Sequence, residues 1–130
     1  MRILVADDEA SVRHFIRVIL AAAGFEVLEA VDGLEALEIL RGLRGDVQLL
    51  VTDIRMPRMD GITLASAIAE QYPGIPILYI SGYSFDFDQQ QQKLASHRCG
   101  FVPKPFLPKP FLEAVRKCLG EPKQVVTAAS

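Results

Sequence analysis

Short apolar runs alternate with helical stripes along this chain. Ile3-Leu4-Val5-Ala6 is rich in branched residues and stops at Asp7-Asp8-Glu9, which predicts a buried strand. Val12, Phe15, Ile16, Ile19, Leu20 and Ala23 then recur at helical spacing and define one apolar face. Arg13, His14 and Arg17 fall off that stripe, and Gly24 supplies a C-terminal stop. Phe25 to Ala30 predicts a second strand, followed by the turn signal Asp32-Gly33. Leu34 to Leu40 predicts a short helix carrying Leu34, Leu37 and Leu40, closed by Gly42 and Gly45.

The alternation continues to the end of the patterned region. Val47 to Thr52 predicts a third strand ending at Asp53, and Ile62 to Tyr72 a helix with Leu64, Ala65, Ile68 and Tyr72 on one face. Ile75 to Ile80 predicts a fourth strand ended by Ser81-Gly82. Asp86 to His97 predicts a polar, weakly anchored helix around Gln89-Gln90-Gln91-Gln92, with Phe87, Leu94 and Ala95 as its apolar content. Phe101-Val102 is a short fifth strand, and Phe111, Leu112, Val115, Cys118 and Leu119 stripe a last helix. Lys123 to Ser130 has no periodicity, so residues 1–120 are expected to form one domain and residues 121–130 a flexible tail.

Five strands alternating with five helices predict an α/β fold with a parallel sheet covered on both faces. Right-handed crossovers leave few topologies. The common five-stranded solution is the flavodoxin-like doubly wound order 2-1-3-4-5, whose switch point lies between the first and third strands. Ligands bind there, outside the carboxyl ends of the strands.

Composition acts mainly by exclusion. The chain has 130 residues, half of them hydrophobic, which fits one soluble globular domain. Its net charge of −2 leaves no electrostatic footprint for direct nucleic-acid binding. No apolar run reaches the ~18–20 residues of a membrane helix, and the start is too short for a signal-peptide core. A cytoplasmic location is expected. Cys99 and Cys118 lack a CxxC spacing and are too few for a disulfide framework, so they are expected to be separate buried thiols in a reducing compartment.

The predicted strand ends gather one set of groups. Asp7 and Asp8 end the first strand, Asp53 the third and Ser81 the fourth, and Lys104 follows the fifth. Alone, Asp8 reads as a helix cap, Ser81 as a turn residue and Lys104 as a surface charge. Together they bring three carboxylates, a hydroxyl and an ammonium to one edge. Clustered carboxylates repel, and a hard divalent cation relieves that repulsion. All-oxygen ligation suits Mg²⁺, which favours one or two carboxylates plus phosphate oxygens. An aspartate beside Mg²⁺ can attack phosphorus to form an acyl phosphate, so the set points to phosphoryl chemistry.

At these residues the chain resembles the receiver domain of two-component response regulators, of the chemotaxis-regulator type. The motifs are Ile3 to Glu9, Asp53-Ile54-Arg55-Met56-Pro57-Arg58-Met59-Asp60-Gly61, Ile80-Ser81-Gly82-Tyr83 and Lys104-Pro105-Phe106, within roughly residues 1–119. The resemblance implies a phosphoacceptor switch rather than a turnover enzyme. Asp53 would accept the phosphoryl group from a histidine kinase or histidine phosphotransfer protein. Asp8, Asp53 and the backbone carbonyl of Arg55 would hold Mg²⁺, with Asp7 acting through water. Lys104 would pair with Asp53, Ser81 would be the switch hydroxyl, and Phe101 the switch aromatic or a plain core residue. The family holds the bond matching Lys104-Pro105 in cis. A second copy, Lys109-Pro110, is assigned to the start of the last helix. Arg55 and Tyr83, each two residues beyond a site residue, are expected either to set the acyl-phosphate lifetime or to be ordinary loop residues. A downstream protein would read the face made by the fourth helix, fifth strand and fifth helix.

Three other classes compete. An aspartyl phosphohydrolase normally has an acid–base Asp two residues after its nucleophile, where this chain has Arg55, and a substrate cap that this length does not hold. A flavin-mononucleotide binder would not place Asp7-Asp8-Glu9 against a phosphate. A pseudo-receiver that signals by binding alone would lack Asp53 or Lys104, and both are present.

Overall fold

In the computed structural model, residues 1–82 and 98–120 are described. The chain alternates β1 (Arg2–Ala6), α1 (Ala10–Ala22), β2 (Glu26–Ala30), α2 (Gly33–Gly42), β3 (Leu49–Asp53), α3 (Gly61–Gln71), β4 (Ile77–Ser81), β5 (Arg98–Pro103) and α4 (Pro108–Cys118). The five strands form one sheet in the order β2-β1-β3-β4-β5, and every adjacent pair is parallel. This is the flavodoxin-like doubly wound fold expected from the pattern. The helix expected over residues 86–97 and the tail expected over 121–130 lie outside the described residues.

Strand alternation divides the apolar residues between two cores. Leu4, Leu50, Ile77 and Tyr79 face one side and pack with Leu37, Leu40, Leu64 and Ile68 of α2 and α3. Ile3, Val5, Leu49, Val51, Leu78 and Ile80 face the other and pack with Ile16, Leu20, Phe111 and Val115 of α1 and α4. Burial on both faces is why these strands read as continuous apolar runs.

Local chemistry sets the helix starts. Asp32 and Asp60 each accept from the backbone N–H three residues on and so cap α2 and α3. Pro108 opens α4 in the first turn, where a missing N–H costs nothing, and Lys109-Pro110 falls inside that helix start as expected. Two stripe residues depart from expectation. Phe15 is 41% exposed and Leu34 38% exposed, because Ile16, Ile19 and Leu20 of α1 and Ala36, Leu37 and Leu40 of α2 already fill the contact with the sheet. Phe15 lies against Phe106 instead, with ring centroids 5.8 Å apart.

The cysteines require a correction. Cys99 and Cys118 are joined in a disulfide, not separate thiols. The absence of a CxxC spacing was a poor guide, since pairing depends on tertiary proximity. β5 and the end of α4 bring the two Cα atoms to 5.2 Å, within bonding reach. Both side chains are half-buried against the core that α4 covers.

Candidate functional site

The carboxyl ends of β1, β3, β4 and β5 meet at one edge of the sheet. Asp7 follows β1 and is fully buried, held by its own N–H donating to the Ala30 carbonyl at 3.1 Å. Its Oδ1 accepts from the Glu9 N–H at 2.8 Å, and Arg13 Nη1 donates to its carbonyl at 2.7 Å. The acid that shapes the entry to α1 is therefore Asp7. Asp8 is exposed, and Glu9 occupies the cap position without a side-chain cap bond.

Asp53 ends β3 and is 6% exposed. Its Oδ1 accepts from the Ile54 N–H at 2.7 Å. Thr52 Oγ1 donates to the Asp53 carbonyl at 2.8 Å. Gly61 is required nearby, since a Cβ there would stand 2.1 Å from that same carbonyl oxygen. Ser81 ends β4 and is buried, and its carbonyl accepts the Lys104 N–H at 2.9 Å. That bond fixes where the chain leaves β5. The Lys104-Pro105 peptide is cis.

Lys104 joins the acids. Its Nζ lies 3.0 Å from Asp7 Oδ2, 3.0 Å from Asp53 Oδ2 and 3.2 Å from Glu9 Oε1. Oδ2 of Asp7 is fully buried, and the Lys104 ammonium is its ion-pair partner. Asp7, Asp8 and Asp53 each offer a carboxylate oxygen, and these lie within 4.8 Å of one another. Three hard oxygens beside one ammonium suit an oxygen-seeking divalent cation.

Electrostatics follow from this crowding. Burial raises the pKa of Asp7, with help from the Asp53 charge, and the Glu9 N–H and Lys104 only partly offset it. Burial also raises Asp53, against the opposing pull of Lys104 and the Ile54 and Arg55 N–H groups. Lys104 moves up as well. Burial works against its charge, but hydrogen bonding and attraction from Asp7 and Asp53 outweigh that and keep it an ammonium. The edge thus holds more negative charge than one lysine balances.

The chain matches the response regulator receiver domain family over residues 3–116. It belongs to that family. This receiver domain is 38% identical over 117 residues to the sensor kinase CckA of Brucella abortus, covering 90% of this chain and 12% of that protein. It also spans about half the length of the mycobacterial response regulators it matches. The solved receiver domain of the hybrid histidine kinase CckA is 37% identical with a TM-score of 0.78, and the match covers 92% of this chain and 99% of that one. Response regulator TrrA of Thermotoga maritima, solved in complex with Mg²⁺-BeF, is 31% identical with a TM-score of 0.77, covering 91% and 98%.

Among the residues singled out in the sequence, Asp7, Asp8, Asp53 and Lys104 converge, with Ser81 on the adjoining strand end. Phe101 lies on β5, half-buried, and packs against the core beneath α2 and α3. Arg55 is exposed two residues beyond Asp53, and Lys109 is exposed on α4. Tyr83 lies outside the described residues. Two contacts escaped the sequence. Glu9 reaches Lys104, and its only signal was its place in the acidic run. Arg58 reaches Asp32 across two loops, which no local pattern announces.

Proposed function

We propose that this receiver domain accepts a phosphoryl group on Asp53 and passes the change to a partner protein by altering its surface. The supporting observation is the Lys104 ammonium held 3.0 Å from carboxylate oxygens of both Asp53 and Asp7 at the carboxyl edge of the sheet. The donor would be the phosphohistidine of a histidine kinase or histidine phosphotransfer protein. An Asp53 carboxylate oxygen attacks phosphorus, an O–P bond forms, and the N–P bond to imidazole breaks. The phosphohistidine ring, protonated on its other nitrogen, keeps the electron pair of the broken N–P bond and that proton, and so leaves as neutral imidazole.

Asp8, Asp53 and the Arg55 carbonyl would hold Mg²⁺, with Asp7 beside it. Mg²⁺ supplies positive charge against the phosphoryl oxygens, and TrrA, solved in complex with Mg²⁺-BeF, supports this choice of ion. Lys104 neutralises the product: a phosphoryl oxygen takes the position that the Asp53 oxygen holds in the resting pair. The added group carries a charge of about −1.5 to −2 and new acceptor oxygens. Ser81, buried at the end of β4, would donate its hydroxyl to one of them. The Ser81 carbonyl holds the Lys104 N–H, so a shift of one strand end is felt at the other.

Phe101, half-buried on β5, would turn inward as the Ser81 loop moves. The face made by the helix expected over residues 86–97, β5 and α4 would then change shape for a downstream protein. Arg55 and Tyr83 would set the lifetime of the acyl phosphate. Residues 1–120 would act as the switch unit, working in the cytoplasm as a phosphoacceptor rather than a turnover enzyme.

Borohydride reduction after exposure to a small acyl phosphate with Mg²⁺ tests the acceptor. An aspartyl phosphate is reduced to homoserine, and peptide mass mapping locates it. Conversion at position 53 alone is expected. Conversion at Asp7 or Asp8, or none under conditions that trap short-lived species, would overturn the assignment and favour a pseudo-receiver that signals by binding.

A further inference from the structure

The loop between β3 and α3 leaves the site at Ile54 and returns to it at Gly61. The Gly61 N–H donates to the Ile54 carbonyl at 2.8 Å and closes its base. Its far end is pinned to another element. The Gly33 N–H, at the start of α2, donates to the Met59 carbonyl at 3.3 Å, and Arg58 Nε donates to Asp32 Oδ2 at 2.6 Å. A Cβ on Gly33 would stand 2.8 Å from both the Met59 carbonyl oxygen and its Cγ, so the two loops touch without spare room.

Asp32 is built for two tasks. It is 3% exposed, its Oδ1 accepts from the Glu35 N–H at 2.9 Å to cap α2, and Oδ2 is left for Arg58. Arg58 sits at φ 66°, in the left-handed region that disfavours any residue with a Cβ. Its side chain is 58% exposed while Asp32 is buried, so the pair ties a solvated guanidinium to a desolvated carboxylate. An arginine kept in a left-handed backbone that glycine would adopt without strain, with its side chain reaching a second loop, points to placement of the loop.

We propose that Asp32 and Arg58 are a positioning pair for the cation site, holding the loop so that Asp53 and the Arg55 carbonyl stay in ligating arrangement. This rests on the Mg²⁺ reading above. Arg58 lies three residues past Arg55 and two before Asp60, the cap of α3, so its anchor restrains the loop where neither β3 nor α3 does. Neither residue touches the ion or the phosphoryl group. They act through the loop, as outer groups around metal ligands commonly do.

The test uses Arg58→Gly, Arg58→Lys and Asp32→Asn. Arg58→Gly relieves the left-handed backbone and removes the anchor. Asp32→Asn keeps a cap acceptor for Glu35 and removes the charge facing Arg58. Three quantities are read: the urea midpoint, the Mg²⁺ dissociation constant by calorimetry, and amide exchange at Ile54 and Gly61 without Mg²⁺. For Arg58→Gly we expect a midpoint close to that of the native protein, as relief of the left-handed backbone offsets the lost partner of Asp32, Mg²⁺ binding weakened about tenfold, and faster exchange at both amides but not in β1 or β4. Arg58→Lys should recover part of the affinity. Unchanged Mg²⁺ affinity in Arg58→Gly and Asp32→Asn, or losses that simply track the urea midpoint, would overturn the proposal. Failure of the native protein to bind Mg²⁺ would instead remove the reading on which it rests, and the pair's role with it.

Discussion

Lys104 Nζ and Asp53 Oδ2 stand 3.0 Å apart although 51 residues separate them in the chain. Asp7 Oδ2 lies at the same distance from that nitrogen, so one ammonium serves two buried carboxylates. Removing it leaves both uncompensated. Lys104→Met should destabilise the protein by about 3 kcal/mol at neutral pH. The loss should shrink on acidification, because both carboxylates have raised pKa values and protonate early. Lys109→Met, on the exposed start of α4, should change little. Urea melts at neutral and mildly acidic pH check this, and a pH-independent loss would count against the charge account.

Asp53 pushes in the opposite direction. Its pKa in the folded protein is raised above the ordinary value of 3.8, chiefly by burial. The folded state therefore holds a proton more tightly than the unfolded state, and ionisation works against folding above the folded pKa. Asp53→Asn should raise stability by about 1 kcal/mol at neutral pH without divalent cation. That gain should fade as pH falls through the folded pKa towards the unfolded one. Mg²⁺ should stabilise the native protein and not the variant.

Glu29 gives the reverse pH signature. Hydrogen bonds and attraction from Arg17 and Arg13 lower its pKa below the ordinary value of 4.5, against its partial burial. Arg17 Nε donates to one carboxylate oxygen, and Arg13 Nε reaches the other at 3.2 Å. The stabilisation is complete above the unfolded pKa and is lost as pH falls through the folded one. Glu29→Gln should be less stable than the native protein at neutral pH, with the gap closing in acid. A gap of constant size would point to lost packing instead.

The Cys99–Cys118 disulfide closes a 19-residue separation that includes most of β5 and all of α4. Chain-entropy arguments give about 3 kcal/mol for a loop of this size. Reduction, or Cys118→Ser, should lower the urea midpoint correspondingly. Coincident melts with and without reductant would show that the bond does not form in solution.

The sheet order and the gathering of Asp7, Asp8, Asp53, Ser81 and Lys104 at one edge were legible in the chain. Parallel strands buried on both faces leave continuous apolar runs, and the switch-point rule then places their ends together. The Lys104 position over Lys109 was legible for the same reason, because Phe101-Val102 marks the strand that delivers it. Other relationships depend on contacts without a local period. Arg58 meets Asp32 because two loops pack, and Cys99 meets Cys118 because α4 folds back along β5. Phe15 and Leu34 fit a helical stripe that is wider than the strip each helix presents to the sheet.

The most direct test of phosphoryl acceptance is the intact mass of the protein after incubation with acetyl phosphate and Mg²⁺. Asp53→Ala and a magnesium-free sample serve as controls. Addition of one phosphoryl group only in the native protein with Mg²⁺ is the predicted result. No addition under conditions that preserve short-lived acyl phosphates, or equal addition to Asp53→Ala, would contradict it.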